Sequence, residues 1–350
     1  MFSVKLSRLL SNLIGVMYCF CTYFDKNYLL RGLALYRSLE RCCPSFRLWI
    51  LCMDTESYDV LSRMNLPSAA LISLADFERG DDQLLAAKGN RSLVEYYFTC
   101  TPSLTLYVLS TSPGTENITY LDADMFFFSD PAPVFDELGD GSIALIGHRL
   151  PPFLRHLEAT GIYNVGWITF RRDENGLAAL RWWRERCIEW CYDRVEETRC
   201  ADQKYLDDWP ERFKNVVVLD HKGANLAPWN VANYTLLSGD GSVTVDGERL
   251  VFYHFHGFRR LSGRLYDPGL SPYRGKLDGI MRDAIYAPYL REIVTLRREL
   301  RERYGYIASL DSIRTHILPV RLYRKLKHGL TVLRSIMCPD RFVSEPGDRE

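Results

Sequence analysis

Tyr120-Leu121-Asp122-Ala123-Asp124-Met125-Phe126-Phe127-Phe128 is the stretch on which the reading of this chain turns. The apolar run Ile118 to Leu121 reads as a strand, and it delivers two carboxylates at its end, separated only by the small Ala123. Alternate residues of an extended chain share a side, so Asp122 and Asp124 can approach one cation. A hard divalent ion takes oxygen ligands and commonly also bridges phosphates. Asp-x-Asp alone is weak, because turns contain it by chance. A strand before it and aromatic residues after it favour a site over a solvated turn.

Upstream of this stretch, strand-like and helix-like patterns alternate. Val16 to Thr22 is a short apolar run, and a polar loop follows at Phe24 to Lys26. Leu29, Leu30, Leu33, Leu35, Tyr36 and Leu39 then recur at helical spacing up to Cys43, where Pro44 stops the helix. Leu48 to Met53 and Ala69 to Leu74 read as strands, with a helix over Tyr58 to Met64 between them. Asp81 to Arg91 is polar and reads as a loop. Leu93 to Leu109 reads as a helix, with Pro102 marking an interruption or a first turn. This alternation predicts an α/β fold with right-handed crossovers and a mainly parallel sheet buried on both faces. Ligands of such sheets collect beyond the carboxyl ends of the strands. Both Asp25 to Tyr28 and the acidic pair fall on that rim.

Downstream the pattern is mixed, with strands at Ile143 to Ile146, Val165 to Phe170, Val216 to Leu219 and Leu250 to Phe255, and a long helix from Gly176 to about Val195. Trp182, Trp183 and Trp190 fall at helical spacing and read as core. No Pro/Gly/Ser-rich linker divides the halves. The expected organisation is an N-terminal extension over residues 1–16, one compact domain over 17–265 and a helical C-terminal region over 266–350.

Composition narrows the functional classes. The chain has 350 residues, 47% hydrophobic and 25% charged, with a formal net charge of zero. Phosphate backbones demand a basic excess, so a dominant nucleic-acid role is excluded. The ten cysteines show no zinc spacing and read as buried thiols of a reducing compartment. Between Ser312 and Ile336 lie Arg314, Arg321, Arg324, Lys325, Lys327 and Arg334 with no acid. Interleaved leucines make this either a basic amphipathic membrane-surface segment or a solvated helix packed on the domain.

Three further clusters carry candidate chemistry. In Phe252-Tyr253-His254-Phe255-His256-Gly257-Phe258-Arg259-Arg260, the two histidines alternate along a strand. An imidazole can complete a carboxylate metal site and biases it toward manganese-like ions. Gly257 would let a backbone amide approach a phosphate, and Arg259 or Arg260 could neutralise a diphosphate. Cys200-Ala201-Asp202-Gln203-Lys204-Tyr205 opens a predicted helix. Spacing alone favours Asp202 as its N-cap, with a catalytic role for Asp202 or Gln203 as the alternative. Asn164, in Tyr163-Asn164-Val165-Gly166, is a sugar contact or a turn residue. Trp229 stacks on a ligand or packs in the core.

Taken in order from about Met17 to Arg260, these motifs resemble the GT-A glycosyltransferases, those related to glycosyltransferase family 8 and the bacterial nucleotide-diphospho-sugar transferases. The resemblance implies a GT-A, Rossmann-like fold and hexosyl transfer from a nucleotide-diphosphate sugar, UDP favoured, to a glycan or lipid-linked acceptor hydroxyl with retention of configuration. It implies Mn²⁺ or Mg²⁺ held by Asp122, Asp124 and His254. Asp25-Lys26-Asn27-Tyr28 matches the family's nucleoside-holding segment, with Asp25 near the base and Tyr28 stacked on it. Donor contacts carried over are Thr22, Asp25, Asn27, Tyr28, Asp122, Ala123, Asn164, Gly166, His256, Gly257 and Arg260. Asp202 and Gln203 fall at the family's catalytic helix start. The chain departs from the pattern in carrying Arg260 where the family has lysine. No arginine stands in Glu95 to Pro102, and Arg91 is the substitute. Localisation at the cytoplasmic side, peripheral to the inner face of the cell membrane, goes with that reading. A sugar-phosphate nucleotidyltransferase would need a glycine-rich loop after the first strand, and Phe24 to Asn27 has no glycine. The intact carboxylate pair and both histidines argue against a non-catalytic sugar-nucleotide-binding protein.

Overall fold

The computed structural model describes residues 17–310 and 342–345; the basic segment between Ser312 and Ile336 and the extension over 1–16 lie outside them. The chain opens with β1 (Tyr18–Phe24), α1 (Leu29–Cys42), β2 (Phe46–Cys52), α2 (Thr55–Met64) and β3 (Ala69–Ser73). Then come α3 (Leu74–Glu78), α4 (Asp82–Gly89), α5 (Leu93–Thr111), β4 (Asn117–Leu121), β5 (Met125–Phe127), α6 (Ala132–Leu138), β6 (Ile143–Gly147), β7 (Tyr163–Arg171) and α7 (Glu174–Glu189). The second half continues with α8 (Trp209–Arg212), β8 (Val216–Leu219), β9 (Leu236–Gly239), β10 (Ser242–Val245), β11 (Glu248–Arg249) and β12 (Phe252–His254). It closes with β13 (Arg259–Ser262), β14 (Leu265–Asp267), α9 (Ala287–Tyr304) and β15 (Val343–Ser344).

Seven strands form the central sheet in the order β3-β2-β1-β4-β7-β6-β8. Pairing is parallel from β3 through β4 and again between β6 and β8, while β7 runs antiparallel to both its neighbours. The fold is thus α/β with a mostly parallel sheet, as the alternation predicted, and the mixed half is mixed because of β7. Adjacent strand residues feed opposite faces: Phe20 packs with α1, Trp167 and Phe252, whereas Cys21 packs with α5, Ile168 and Trp183. α9 buries Tyr289, Leu290, Ile293, Leu296 and Leu300 in the α1 layer, so the chain up to Leu310 is continuous with the core. No helix of the described residues is long and apolar enough to cross a membrane.

The structure departs locally from the sequence reading. The polar stretch Asp81 to Arg91 forms α4, capped by Asp81, whose carboxylate accepts from the Leu84 amide at 3.0 Å. That helix has only Leu84 and Ala87 buried, too few to print a periodic pattern, and Arg184 of α7 holds its cap by an ion pair. Pro102 does not interrupt α5. Around it the hydroxyls of Thr99 and Thr105 donate to carbonyls one turn back, at 2.8 and 3.0 Å. A full capping box, Ser92 with Glu95, starts this helix. α7 ends at Glu189 rather than Val195, because Trp190 turns extended.

β5 and β12 form an antiparallel ribbon beside the main sheet, with His254 opposite Met125. Its support comes from α1. The buried Ser38 hydroxyl donates to Leu35 O at 2.7 Å and accepts from the Phe127 amide at 3.0 Å. Ser38→Ala leaves that buried N–H without its partner, and the expected loss is about 1–3 kcal/mol of folding free energy in urea denaturation. An unchanged midpoint would remove Ser38 as the support of β5.

Candidate active site

β1 and β4 lie side by side and end at the same sheet edge, so the loops that follow them share one cavity of about 580 Å³. Asp25 closes the loop after β1. Its Oδ1 accepts from the amides of Asn27 and Tyr28 at 2.9 and 3.2 Å, and its Oδ2 accepts from Asn27 Nδ2 at 2.9 Å. Tyr97 Oη of α5 donates to the same oxygen at 3.3 Å. Asp25 and Tyr28 line the cavity, whereas the Asn27 side chain is engaged in holding Asp25. Thr22, expected near the donor, is fully buried inside β1 and does not line the cavity.

After β4 the chain turns at Asp122-Ala123-Asp124. Gly166 O of β7 accepts from the Asp122 amide at 3.1 Å, and Asp122 O accepts from the Met125 amide at 3.2 Å. Tyr120 Oη donates to Asp122 Oδ1 at 2.9 Å. On the facing strand, the Phe255 amide donates to Asp124 O at 2.8 Å, which fixes His254 against the turn. His254 Nε2 lies 2.9 Å from Asp124 Oδ1 and 3.7 Å from Asp122 Oδ2. Asn164 of β7 orients this ring: its Nδ2 lies 3.3 Å from His254 Nδ1, and its Oδ1 accepts from the Gly166 amide at 3.0 Å. Gly166 keeps the space open, since a Cβ there would come within 3.0 Å of both Asp122 Oδ2 and the His254 ring.

Charge and burial set the protonation of this group. Burial pushes the Asp122 carboxyl up, with Asp124 adding to the rise and His254 opposing it. Burial would raise Asp124 as well, but the charge and hydrogen bond of His254 outweigh it and hold Asp124 below the usual carboxylate range. Burial would likewise depress His254, and Asp124 overcomes this and raises it. Asp124, His254 and His256 offer ligand atoms that all lie within 4.8 Å of one another. Two imidazoles and a carboxylate, with Asp122 alongside, suit a first-row divalent ion such as manganese. His256, expected beside a phosphate, therefore sits with the metal-capable group.

Asp202 does not act as a helix cap. Only a short 3₁₀ turn, Lys204–Leu206, follows it, with no side-chain cap. Ala201 before it adopts φ +48°, a left-handed conformation that a residue with a Cβ rarely takes. Trp183 Nε1 donates to Asp202 O at 2.8 Å, and the carboxyl faces the cavity while 4% exposed. Burial pushes it up to about 7, the charge of Asp122 adds to the rise, and the Thr101 hydroxyl partly offsets it. Gln203 lines the cavity beside it and donates from Nε2 to Thr160 O at 3.2 Å.

Other expected contacts lie elsewhere. Arg91 donates to the carbonyls of Cys187 and Ile188 at 3.1 and 2.9 Å, because the exposed carbonyls ending α7 draw a guanidinium. Arg260 donates to Gly263 O at 2.9 Å, Arg259 pairs with Asp267 at 2.8 Å, and neither lines the cavity. Gly257 takes φ +75° and also lies outside the lining. Among the described residues no Lys or Arg lines the cavity, while four aspartates do: Asp25, Asp122, Asp124 and Asp202. Trp229 does line it, 5.0 Å ring to ring from His254. Sequence reasoning missed Tyr23, Tyr97, Tyr120 and His148. Val94, Tyr97, Phe98 and Thr101 stand at helical spacing on α5, a stripe that reads as core until the cavity is seen. Arg31 was also missed. It is buried, its guanidinium lies 4.4 Å over the Tyr28 ring, and its Nη2 donates to Phe258 O at 2.8 Å, tying the first loop to the histidine loop.

Folding takes up a proton at Asp202, whose ordinary value is near 4 and whose folded value is about 7. Its contribution is complete below pH 4 and is lost as pH rises through 7, a change on the order of 4 kcal/mol. Asp202→Asn, which stays neutral, is expected to melt higher than the wild type at pH 8 in chelator, with the gap closing by pH 4. Parallel melting curves across that range would show that Asp202 ionises normally.

No family model matches this chain. The uncharacterized protein YfnD of Bacillus subtilis (strain 168) is 34% identical over 286 residues, covering 81% of this chain and 90% of YfnD. YfnF of the same organism is 36% identical over 251 residues, covering 69% of this chain and 82% of YfnF. Among solved structures, galactosyltransferase LgtC in complex with donor and acceptor sugar analogs superposes with a TM-score of 0.47 at 16% identity, over 68% of this chain and 87% of LgtC. Mouse xyloside xylosyltransferase 1, apo form, gives 0.44 at 15% identity, over 69% of this chain and 98% of that one. On the identity and coverage it shares with the two Bacillus proteins, the chain belongs to the family of YfnD and YfnF.

Proposed function

We propose that the chain is a metal-dependent glycosyltransferase that moves a sugar from a nucleotide-diphosphate donor to an acceptor hydroxyl. The observation that carries this reading is His254 Nε2 at 2.9 Å from Asp124 Oδ1, beside Asp122 and His256, at the edge of a mostly parallel sheet. A divalent cation, Mn²⁺ or Mg²⁺, would be held by Asp124, His254 and His256 with Asp122 alongside, and it supplies electrostatic stabilisation of a departing diphosphate. That no Lys or Arg lines the cavity among the described residues supports this reading, since an anionic donor beside these aspartates gains from added positive charge.

The residues divide the work. Tyr28, backed by Arg31, gives an aromatic face for a nucleobase, and Asp25 sits beside it. Asn164 orients the His254 ring, and Gly166 leaves the space in which that ring and the Asp122 carboxylate sit. Asp202 and Gln203 face the reacting sugar: Asp202 donates a hydrogen bond when protonated and stabilises positive charge on the sugar carbon when ionised. In the transfer, the acceptor oxygen bonds to the anomeric carbon, the bond from that carbon to the phosphate oxygen breaks, and the nucleoside diphosphate departs with the proton that the acceptor hydroxyl gives up. Retention of configuration and a UDP-sugar donor belong to this reading through the family resemblance of the motifs.

The test is hydrolysis and transfer from a panel of nucleotide sugars with and without Mn²⁺. Wild-type turnover is expected to need the metal and to be abolished by chelator. Asp124→Asn is expected to lower it by at least a hundredfold; full activity in that variant would refute the site. Gly166→Ala, which pushes a methyl group against Asp122 and His254, is expected to weaken Mn²⁺ binding about tenfold by calorimetry. Wild-type affinity there would show that the spacing is not set by this glycine.

A further inference from the structure

A cavity that works only on nucleotide and sugar should be polar where the sugars meet. The two elements that grip Asp202 and Gln203 are instead apolar along the cavity. Thr101 of α5 hydrogen-bonds Asp202, and one and two turns earlier the same helix puts Phe98 and Val94 into the lining. Thr160, whose carbonyl accepts from Gln203, ends the 3₁₀ segment Pro152–Thr160, and one turn earlier that segment puts Leu157 into the same cavity. Leu150 continues this wall. All four side chains are only partly buried. Beyond them each element carries a large apolar residue well exposed to water, Leu93 at 54% on α5 and Phe153 at 41% on the 3₁₀ segment. Apolar side chains from both flanking elements therefore stand in the lining beside the two residues that face the transferring sugar.

Sugars are recognised by hydrogen bonds and by flat aromatic faces. Branched aliphatic side chains such as Val94, Leu150 and Leu157 provide neither, but they do match a flexible hydrocarbon chain, which gains by leaving water. We propose that the acceptor presents its hydroxyl on a sugar attached to an alkyl chain, and that Phe98 and Leu157, with Val94 and Leu150, bind the first methylene groups of that chain. This inference rests on the glycosyltransferase reading for the meaning of the site, and it narrows the acceptor to a lipid-linked sugar. A soluble glycan acceptor is the competing outcome.

The probe is octyl β-glucoside, held below its micellar concentration, against methyl β-glucoside, with the full chain and binding followed by titration and saturation-transfer NMR. Neither compound requires the donor, so the result stands whether or not a nucleotide sugar is turned over. Octyl glucoside is expected to bind at least tenfold more tightly, a gain that burial of about two methylene groups supplies. In Phe98→Ser and in Leu157→Ser, chosen as variants that retain circular dichroism and cooperative melting, the octyl advantage is expected to disappear. Equal binding of the two glucosides overturns the proposal and points to a soluble glycan. An octyl preference that survives both substitutions also overturns it, since the chain is then bound elsewhere.

Discussion

The antiparallel pairing of Met125 with His254 is the constraint on which the site depends. Asp122 and Asp124 sit at the end of one strand, and His254 arrives from a distant part of the chain. A shift of one residue in this register would turn His254 to the opposite side of the ribbon. The register is secured from three directions. The Phe255 amide bonds Asp124 O, the Ser38 hydroxyl takes the Phe127 amide, and the Trp167 and Phe252 rings stack at 5.0 Å. Backbone hydrogen bonds and aromatic packing together thus determine where a polar group stands.

Electrostatics then sets the protonation of this group. Burying like charges together is costly, and Asp122 and Asp202 both respond by holding protons more tightly than free carboxyls do. Asp124 escapes chiefly because His254 is in contact with it, with His256 and Arg31 adding to the effect. Arg31 contributes from below without entering the cavity: it stacks on Tyr28 and bonds the backbone of the histidine loop. One guanidinium so links the loops on either side of the cavity.

Much of the fold was legible because strand runs and amphipathic helices report burial locally. The first three strands, α1, α2 and β8 fall close to where their apolar patterns put them. α4 escaped because a helix with only two buried residues carries almost no periodic signal. Pro102 did not end α5, which runs from Leu93 to Thr111 with Cys100, Leu104 and Val108 buried in the core on either side of the proline. For Asp202, an acid ahead of an apparent helix looks like a cap, and only the strained Ala201 and the short 3₁₀ turn reveal that the carboxyl is aimed elsewhere.

The sequence by itself determined the alternation of the first strands and helices, the arrival of the first loop and the acidic pair on one rim, and the presence of histidines able to join them. Tertiary structure alone decided which polar side chains meet. It put His256 with the metal-capable group, turned Asn164 to the His254 ring, and drew Arg91 and Arg260 to backbone carbonyls away from the cavity. The reason is one of range. Periodicity records which side of an element is buried, a property of neighbours in the chain. The meeting of two functional groups depends on the register and crossing of elements far apart in sequence, and that is settled only when the core packs.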